Sequence, residues 1–379
     1  MFFEIQDVSY LFYQGLFMKI ICFILLFCSF AFSQFNSISY DAKGEDVLKT
    51  FDIEPSFLNN EYFIGVKNNF LSGEMEEYLL EKFKGGYEFI PTLKEMFLKE
   101  EIPQEFLYLA MIESGFSLSA KSNKRAVGMW QFIPQTAKSM GLTINTQIDE
   151  RKDPIKSTQV AIEYLKYLKK NFGKWYLAAI AYNCGEGRLR KAIASANSDS
   201  LGILLDPDKK YIPLESRMYI RKILSVSFLF HNIDALKIND YEYFLNRGAN
   251  SLLASIEVLP ATPLVDIANE AGINIDELKR LNPHFKRNIT PTFQRLYNVY
   301  LPYKYLAVYK EKNLDNDLQE RLADRKYLVH RIKKGDTINS IARRYGVSKK
   351  LITQYNSIKN ANKLSINQEI IIPLEKESA

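Results

Sequence analysis

Cysteine and histidine are scarce in this chain of 379 residues, with three of each. Cys22, Cys28, Cys184, His231, His284 and His330 are too scattered for a zinc site or a disulfide framework, so neither a metal nor a cofactor is expected. Tryptophan is rarer still, at two residues against 23 Tyr and 25 Phe. The aromatic content therefore comes from rings that pack a core and can also line a groove. Charge of one sign forms no blocks, which removes the usual footprint of a nucleic-acid binder. Nor is there an apolar run long enough to span a bilayer. The longest lies between Ile20 and Phe32, behind Met18-Lys19 and ahead of the small-x-small text Ala31-Phe32-Ser33. That order reads as a secretory signal peptide ending at Ser33. Residues 1–17 carry Glu4 and Asp7 and do not fit such a leader, so Met18 reads as the true start. A lipid anchor at Cys28 is disfavoured by bulky Phe27 before it.

What remains is ordinary globular text of two or three domains, with 47% hydrophobic and 25% charged residues. Without residues 1–33 the chain has 49 basic and 42 acidic residues, a spread excess that suits a polyanionic wall surface. Periplasmic or cell-envelope residence is expected, with cell-wall or outer-membrane association. Nothing in the text signals an oligomeric state.

Residues 34–86 form a polar N-terminal segment with helical spacing around Met75, Tyr78, Leu79 and Phe83. From 87 to 235 the pattern is helical throughout; one stripe is Ala161, Tyr164, Leu165, Leu168 and Phe172, stopped by Gly173. A repeat follows. Shifting by 74 positions lays Ile338, Ile341, Ala342, Gly346, Ile352 and Asn356 on Leu264, Ile267, Ala268, Gly272, Leu278 and Asn282. In the second copy, 327–375, Thr337 and Ser348 are placed to cap two short helices between strands. The first copy, 256–303, is degenerate, with Pro260 and Pro263. Two βααβ modules are expected, joined by a charged linker from Lys310 to Lys326.

Chemistry concentrates in the helical stretch. Pro103 opens a helix that puts Phe106, Leu109, Ala110 and Glu113 on one apolar face, and Ser114-Gly115 stops it. A desolvated carboxyl at the negative end of a helix has a raised pKa, as a general acid requires. A buried, hydrogen-bonded structural Glu would give the same pattern. Next come Ser122 and Gly128-Met129-Trp130-Gln131-Phe132, read as a small hydroxyl, a glycine, outward-facing rings and an amide near Glu113. Later, Ala181-Tyr182-Asn183-Cys184-Gly185-Glu186-Gly187 ends a helix on polar groups. Cys184 reads as a small packed side chain, not a reactive thiol.

Taken in order, Glu113-Ser114-Gly115-Phe116, Gly128 to Pro134, Asp149-Glu150-Arg151-Lys152-Asp153-Pro154, Tyr182-Asn183 and Ile212 to Tyr219 resemble the motifs of the lytic transglycosylases, closest to the membrane-bound lytic transglycosylase D type. The repeats resemble LysM modules. The resemblance implies a mainly α fold: a lysozyme-like helical catalytic domain followed by small βααβ LysM-type modules. It implies cleavage of peptidoglycan glycan strands between N-acetylmuramic acid and N-acetylglucosamine, leaving 1,6-anhydromuramic ends. Glu113 takes the place of the single catalytic acid/base. Ser122, Met129, Gln131, Tyr182, Asn183 and Tyr219 take the places of substrate-binding groups, Ser122 as a hydrogen-bond partner of the Glu. One departure is Arg125, where more distant members often have Gly. Glu186 is the main candidate for a second carboxylate, since Asp149, Glu150 and Asp153 sit in a loop that reads as structural. Two competing readings are a muramidase that hydrolyses the same bond and a wall-binding protein without activity.

Overall fold

The computed structural model describes residues 43–65, 81–82, 85–231, 253–292, 296–313 and 327–373, the last with breaks at 357, 359, 361–363 and 367. The leader with Cys28, and Met75, Tyr78, Leu79 and Phe83, lie outside these residues. Among the described residues no helix is long and apolar enough to cross a membrane. Short turns aside, the elements in chain order are α1 (Ile90–Lys99), α2 (Leu107–Ser114), α3 (Pro134–Ser139), α4 (Pro154–Phe172), α5 (Trp175–Cys184), α6 (Glu186–Ala196), α7 (Leu214–His231), β1 (Leu253–Val258), α8 (Leu264–Ala271), α9 (Ile275–Leu281), β2 (Tyr297–Pro302), α10 (Leu306–Lys312), β3 (Tyr327–Arg331), α11 (Ile338–Tyr345), α12 (Lys349–Tyr355) and β4 (Glu369–Pro373). The fold is mainly α, as expected.

The chain divides into two compact units, one of residues 1–73 with 173–238 and one of residues 74–172 with 239–379. The helical stretch thus belongs to both units and changes hands where α4 ends at Phe172. In the first unit α5 is buried from Tyr176 to Ala181 and packs on α6 and α7. Its start is tied to the N-terminal segment: the Asp52 carboxylate accepts the Trp175 N–H at 2.8 Å, and the Phe51 carbonyl accepts the Tyr176 N–H at 3.0 Å. These bonds satisfy donors that a helix N-terminus leaves open. Phe63 meets Phe228 of α7 edge to face.

In the second unit α1 packs on α2 and α4. The predicted stripe of α4 is turned inward, with Ala161, Leu165 and Leu168 fully buried. The two modules each form one antiparallel hairpin around two short helices, β1 with β2 and β3 with β4. Thr337 caps α11 in a capping box with Ser340, and Ser348 caps α12. The aligned asparagines prove to be structural twins. Asn282 donates to the carbonyls of Leu278 and Tyr300 and accepts the Tyr300 N–H; Asn356 does the same with Ile352 and Ile371. One amide thus closes a helix end and pairs a strand, so an apolar residue there would strand three backbone groups. The linker expected from Lys310 begins inside α10, whose Tyr309 is buried in the first module's core.

His284 is buried beside Asp153, with Phe285 and Tyr300 against its ring. Burial holds its pKa below the usual imidazole value, against the smaller opposing pull of Asp153. On unfolding, the ring takes up a proton near pH ~6.5, whereas the folded ring stays neutral to lower pH. The unfolded state therefore binds more protons in that window, and stability falls as the pH drops through it, by up to about 1.4 kcal/mol per pH unit. Melting temperature should decline from pH 7 to pH 5. His284→Gln should flatten the decline, and an equal slope in that variant would assign it elsewhere.

Candidate active site

Glu113 lies in the last turn of α2, half-buried, while Phe106, Leu109 and Ala110 of the same face are fully buried. The helix stops because Gly115 and Phe116 both take left-handed backbone, at φ 59° and 60°. Gly86 makes that turn possible, since a Cβ on it would stand 2.5 Å from the Phe116 ring. Beside Glu113, the Ser114 hydroxyl donates to the Met129 carbonyl at 2.8 Å, so the helix end is bonded directly to the loop that follows.

That loop carries three of the expected binding residues. Ser122 is exposed; its Oγ accepts the Ala126 N–H at 3.1 Å and closes a tight turn. Within the turn Arg125 stands at φ 63°, a conformation glycine adopts freely, which gives a physical reason for the family's frequent Gly there. Gln131, at φ 50°, donates through its side chain to the Gly128 carbonyl at 2.8 Å. Non-glycine residues at positive φ cost about 1–3 kcal/mol and gather at functional sites. Gly128 has no alternative: a Cβ there would stand 1.9 Å from the Arg151 carbonyl oxygen.

The outward-facing rings expected here are not found. Trp130 is fully buried, stacked on Phe97 of α1 and donating its Nε1–H to Thr158 of α4 at 2.9 Å, and Phe132 is buried too. The large apolar surface of an indole with a partner for its N–H anchors the loop to the helices. Met129 is likewise fully buried.

Tyr182, Asn183 and Tyr219 belong to the first unit. Tyr182 and Asn183 are half-buried in the last turn of α5, ahead of Gly185 at φ 85°, and Tyr219 is buried on α7. The Asn183 Oδ1 accepts the hydroxyl of Ser216, itself buried on α7, at 2.7 Å. Ser216 lies within the Ile212–Tyr219 motif, and no local signal marks it because its partner is 33 residues away. Cys184 is half-buried and burial pushes its thiol pKa up, which fits a packing role.

The acidic loop is committed elsewhere. Asp149 binds Arg151 with both oxygens, at 2.9 and 2.8 Å. Although burial pushes the Asp149 pKa up, the Arg151 bonds and charge hold it below the usual range. Glu150 pairs with Lys156 at 2.6 Å and accepts the Thr143 N–H, and Asp153 accepts two N–H groups at the start of α4. Glu186 sits half-buried in the first turn of α6, 3.8 Å from Arg190. Among the described residues no three His, Cys, Asp or Glu side chains gather as metal ligands.

Residues 94–201 match the transglycosylase SLT domain, residues 253–316 the LysM-like domain of lytic transglycosylase MltD, and residues 330–373 the LysM domain. The chain is 30% identical over 282 residues to the membrane-bound lytic murein transglycosylase D of Escherichia coli (strain K12), a match over 72% of this chain and 61% of that protein. It therefore spans about three fifths of that relative's length. The peptidoglycan transglycosylase gp16 of Escherichia phage T7 is 36% identical over 121 residues, 31% of this chain and 9% of its own. Among solved structures, the 70 kDa soluble lytic transglycosylase of Escherichia coli is 24% identical, over 38% of this chain and 24% of that chain, with a TM-score of 0.31.

Proposed function

We propose that this chain, which carries a transglycosylase SLT domain followed by two LysM-type domains, is an exported peptidoglycan lytic transglycosylase. The observation that carries the reading is the SLT match over 94–201, which contains Glu113, the Gly128–Gln131 loop and Tyr182-Asn183 in one stretch. Most glycosidases use two carboxylates. Here Asp149, Glu150 and Asp153 are held by structural partners, which supports a single carboxylate, Glu113, as acid and base in turn, with Glu186 the alternative.

Glu113 gives its proton to the oxygen leaving C1 of N-acetylmuramic acid, and the sugar's own acetamido carbonyl stabilises C1 as that bond breaks. The carboxylate then takes the proton of the C6 hydroxyl, whose oxygen closes on C1. The products are a 1,6-anhydromuramic end and a free N-acetylglucosamine hydroxyl. No water is consumed, and the intramolecular closure replaces a second protein nucleophile. The family resemblance assigns Ser122, Met129, Gln131, Tyr182, Asn183 and Tyr219 to binding the sugars. Incubating the protein with sacculi and weighing the product ends tests this. Muramic ends lighter by one water are expected; fully hydrated ends would make the protein a muramidase, and intact sacculi a binding protein.

The module at 327–373 anchors the enzyme to glycan. Because α10 belongs to the first module's core, the informative truncation removes residues 317–379. Tethering raises local concentration without touching the chemistry. Sacculus pull-down should weaken about tenfold or more, with turnover of short soluble glycans within about twofold of the full chain. Equal pull-down by both forms would show that this module is no anchor.

A further inference from the structure

The two modules share a topology but are used differently. In the second, the buried cluster consists of the module's own residues, among them Ile338, Ile341, Ile352 and Ile370. In the first, the core takes in a side chain from the helical part of the unit: Ile148, 2% exposed, lies among Ala254, Ile267, Leu278 and Phe285. Backbone pairing accompanies it. Ile148 bridges Phe285 antiparallel, the Asp149 N–H donates to the His284 carbonyl at 2.9 Å, and the Lys286 N–H donates to the Gln147 carbonyl at 2.9 Å. Gln147 exchanges side-chain bonds with Thr292 of the module, and the Tyr300 hydroxyl donates to Asp153 at 2.9 Å. The loop 144–153 is thus docked on the module through the bridge at Ile148 and held on either side of it by Gln147 and Asp153.

The same loop grips the residues around Gly128. The Arg151 guanidinium, oriented by both oxygens of Asp149, donates to the carbonyl of Arg125 at 2.9 Å and of Phe132 at 3.2 Å. Those carbonyls bracket the turn that holds Gly128, Met129 and Gln131. The Arg151 carbonyl fills the space where a Gly128 side chain would stand. Contacts therefore run from Phe285, through Ile148 and its neighbour Asp149, to Arg151 and the loop at 125–132, while Tyr300 holds Asp153, two residues beyond Arg151 on the same loop.

We infer that the 253–302 module is a positioning half of the catalytic unit and not a second glycan anchor, with Tyr300 and Phe285 as positioning residues that act through Arg151 on the Gly128–Gln131 loop. The inference rests on the reading of that loop as part of the active site. A loop displaced by a fraction of an ångström loses reactive geometry more than affinity. A glycan anchor would show the opposite pattern.

The test uses the full chain with Tyr300→Phe, which removes one hydroxyl and keeps the ring, and separately Phe285→Ala. Turnover number and KM on short soluble glycans, sacculus pull-down, and hydrogen exchange of the Val127, Gly128 and Gln131 amides are measured together. Each of those amides is hydrogen-bonded within the loop. The expected result is a kcat lowered about 3–30-fold with KM within about twofold, faster exchange at those amides, and unchanged pull-down. Weaker pull-down with kcat and loop exchange intact would overturn the inference and make the module an anchor. If Phe285→Ala does not fold, Tyr300→Phe decides alone. Should the wild-type protein prove inactive, the functional reading fails, while amide exchange still decides whether module and loop are linked; unchanged exchange in Tyr300→Phe overturns the link.

Discussion

Glu113→Gln is expected to fold and melt like the parent while losing about 10²–10⁴-fold in turnover, the usual contribution of a general acid–base group. The amide keeps the volume and planarity of the carboxyl and can still accept a hydrogen bond, so the end of α2 has no reason to rearrange. Its stop is set by the left-handed pair Gly115-Phe116, and its tether to the loop is the Ser114 hydroxyl, neither of which involves the Glu113 carboxyl. What the variant loses is a proton to give and a base to take one back. Both steps of the proposed reaction need it, so no change of pH restores the rate. Retention of more than roughly a tenth of the wild-type turnover, far above the loss expected of a true acid/base, would move the role to another carboxyl, with Glu186 first to be replaced. Glycan binding by the variant should persist, and a simultaneous collapse of binding and melting would assign Glu113 a structural role.

The parts of this molecule that could be read in advance are those governed by neighbours in sequence. Thr337, Gly346 and Ser348 announce their helices because caps and stops act within three or four residues. The stripe of α4 and the apolar face ending at Glu113 follow from helical period alone. The alignment of Asn282 with Asn356 marked a repeated position, yet the pairing of that amide with a strand 15 or 18 residues on was beyond periodicity. Long-range polar geometry was equally out of reach. Nothing local tells that Ile148 completes the core of a module more than a hundred residues later, or that Arg151 grips carbonyls at 125 and 132. The rings of the Gly-Met-Trp-Gln-Phe text misled for a related reason. Trp130 has its N–H satisfied by Thr158, and a satisfied indole is free to be core.

Asn183→Ala should lower kcat by about 10–10³-fold, the range for a preorganised polar group acting on the transition state, with little change in affinity for an inert glycan. Ser216 makes the prediction sharper. By donating its hydroxyl to Asn183 Oδ1 at 2.7 Å, it fixes the rotation of the amide and occupies the acceptor end. The NH2 is left as the end available to a sugar carbonyl. In the proposed reaction a donor there would hold the acetamido carbonyl in line with C1, and so would contribute to turnover through orientation more than to ground-state binding. Asn183→Asp keeps the shape and the Ser216 bond but deletes both N–H donors, and should be impaired about as severely as Asn183→Ala. Ser216→Ala keeps the donors and loses their orientation, so a smaller loss in kcat is expected, with melting lowered by the scale of one buried hydrogen bond, about 1 kcal/mol. Packing alone predicts the reverse ranking: Ser216→Ala and Asn183→Ala would depress melting together, Asn183→Asp would be nearly silent, and turnover per folded molecule would hold in all three. Melting and single-turnover rates taken on the same preparations separate the two rankings, because only a donor aimed at the reacting sugar makes Asn183→Asp stable and slow at once.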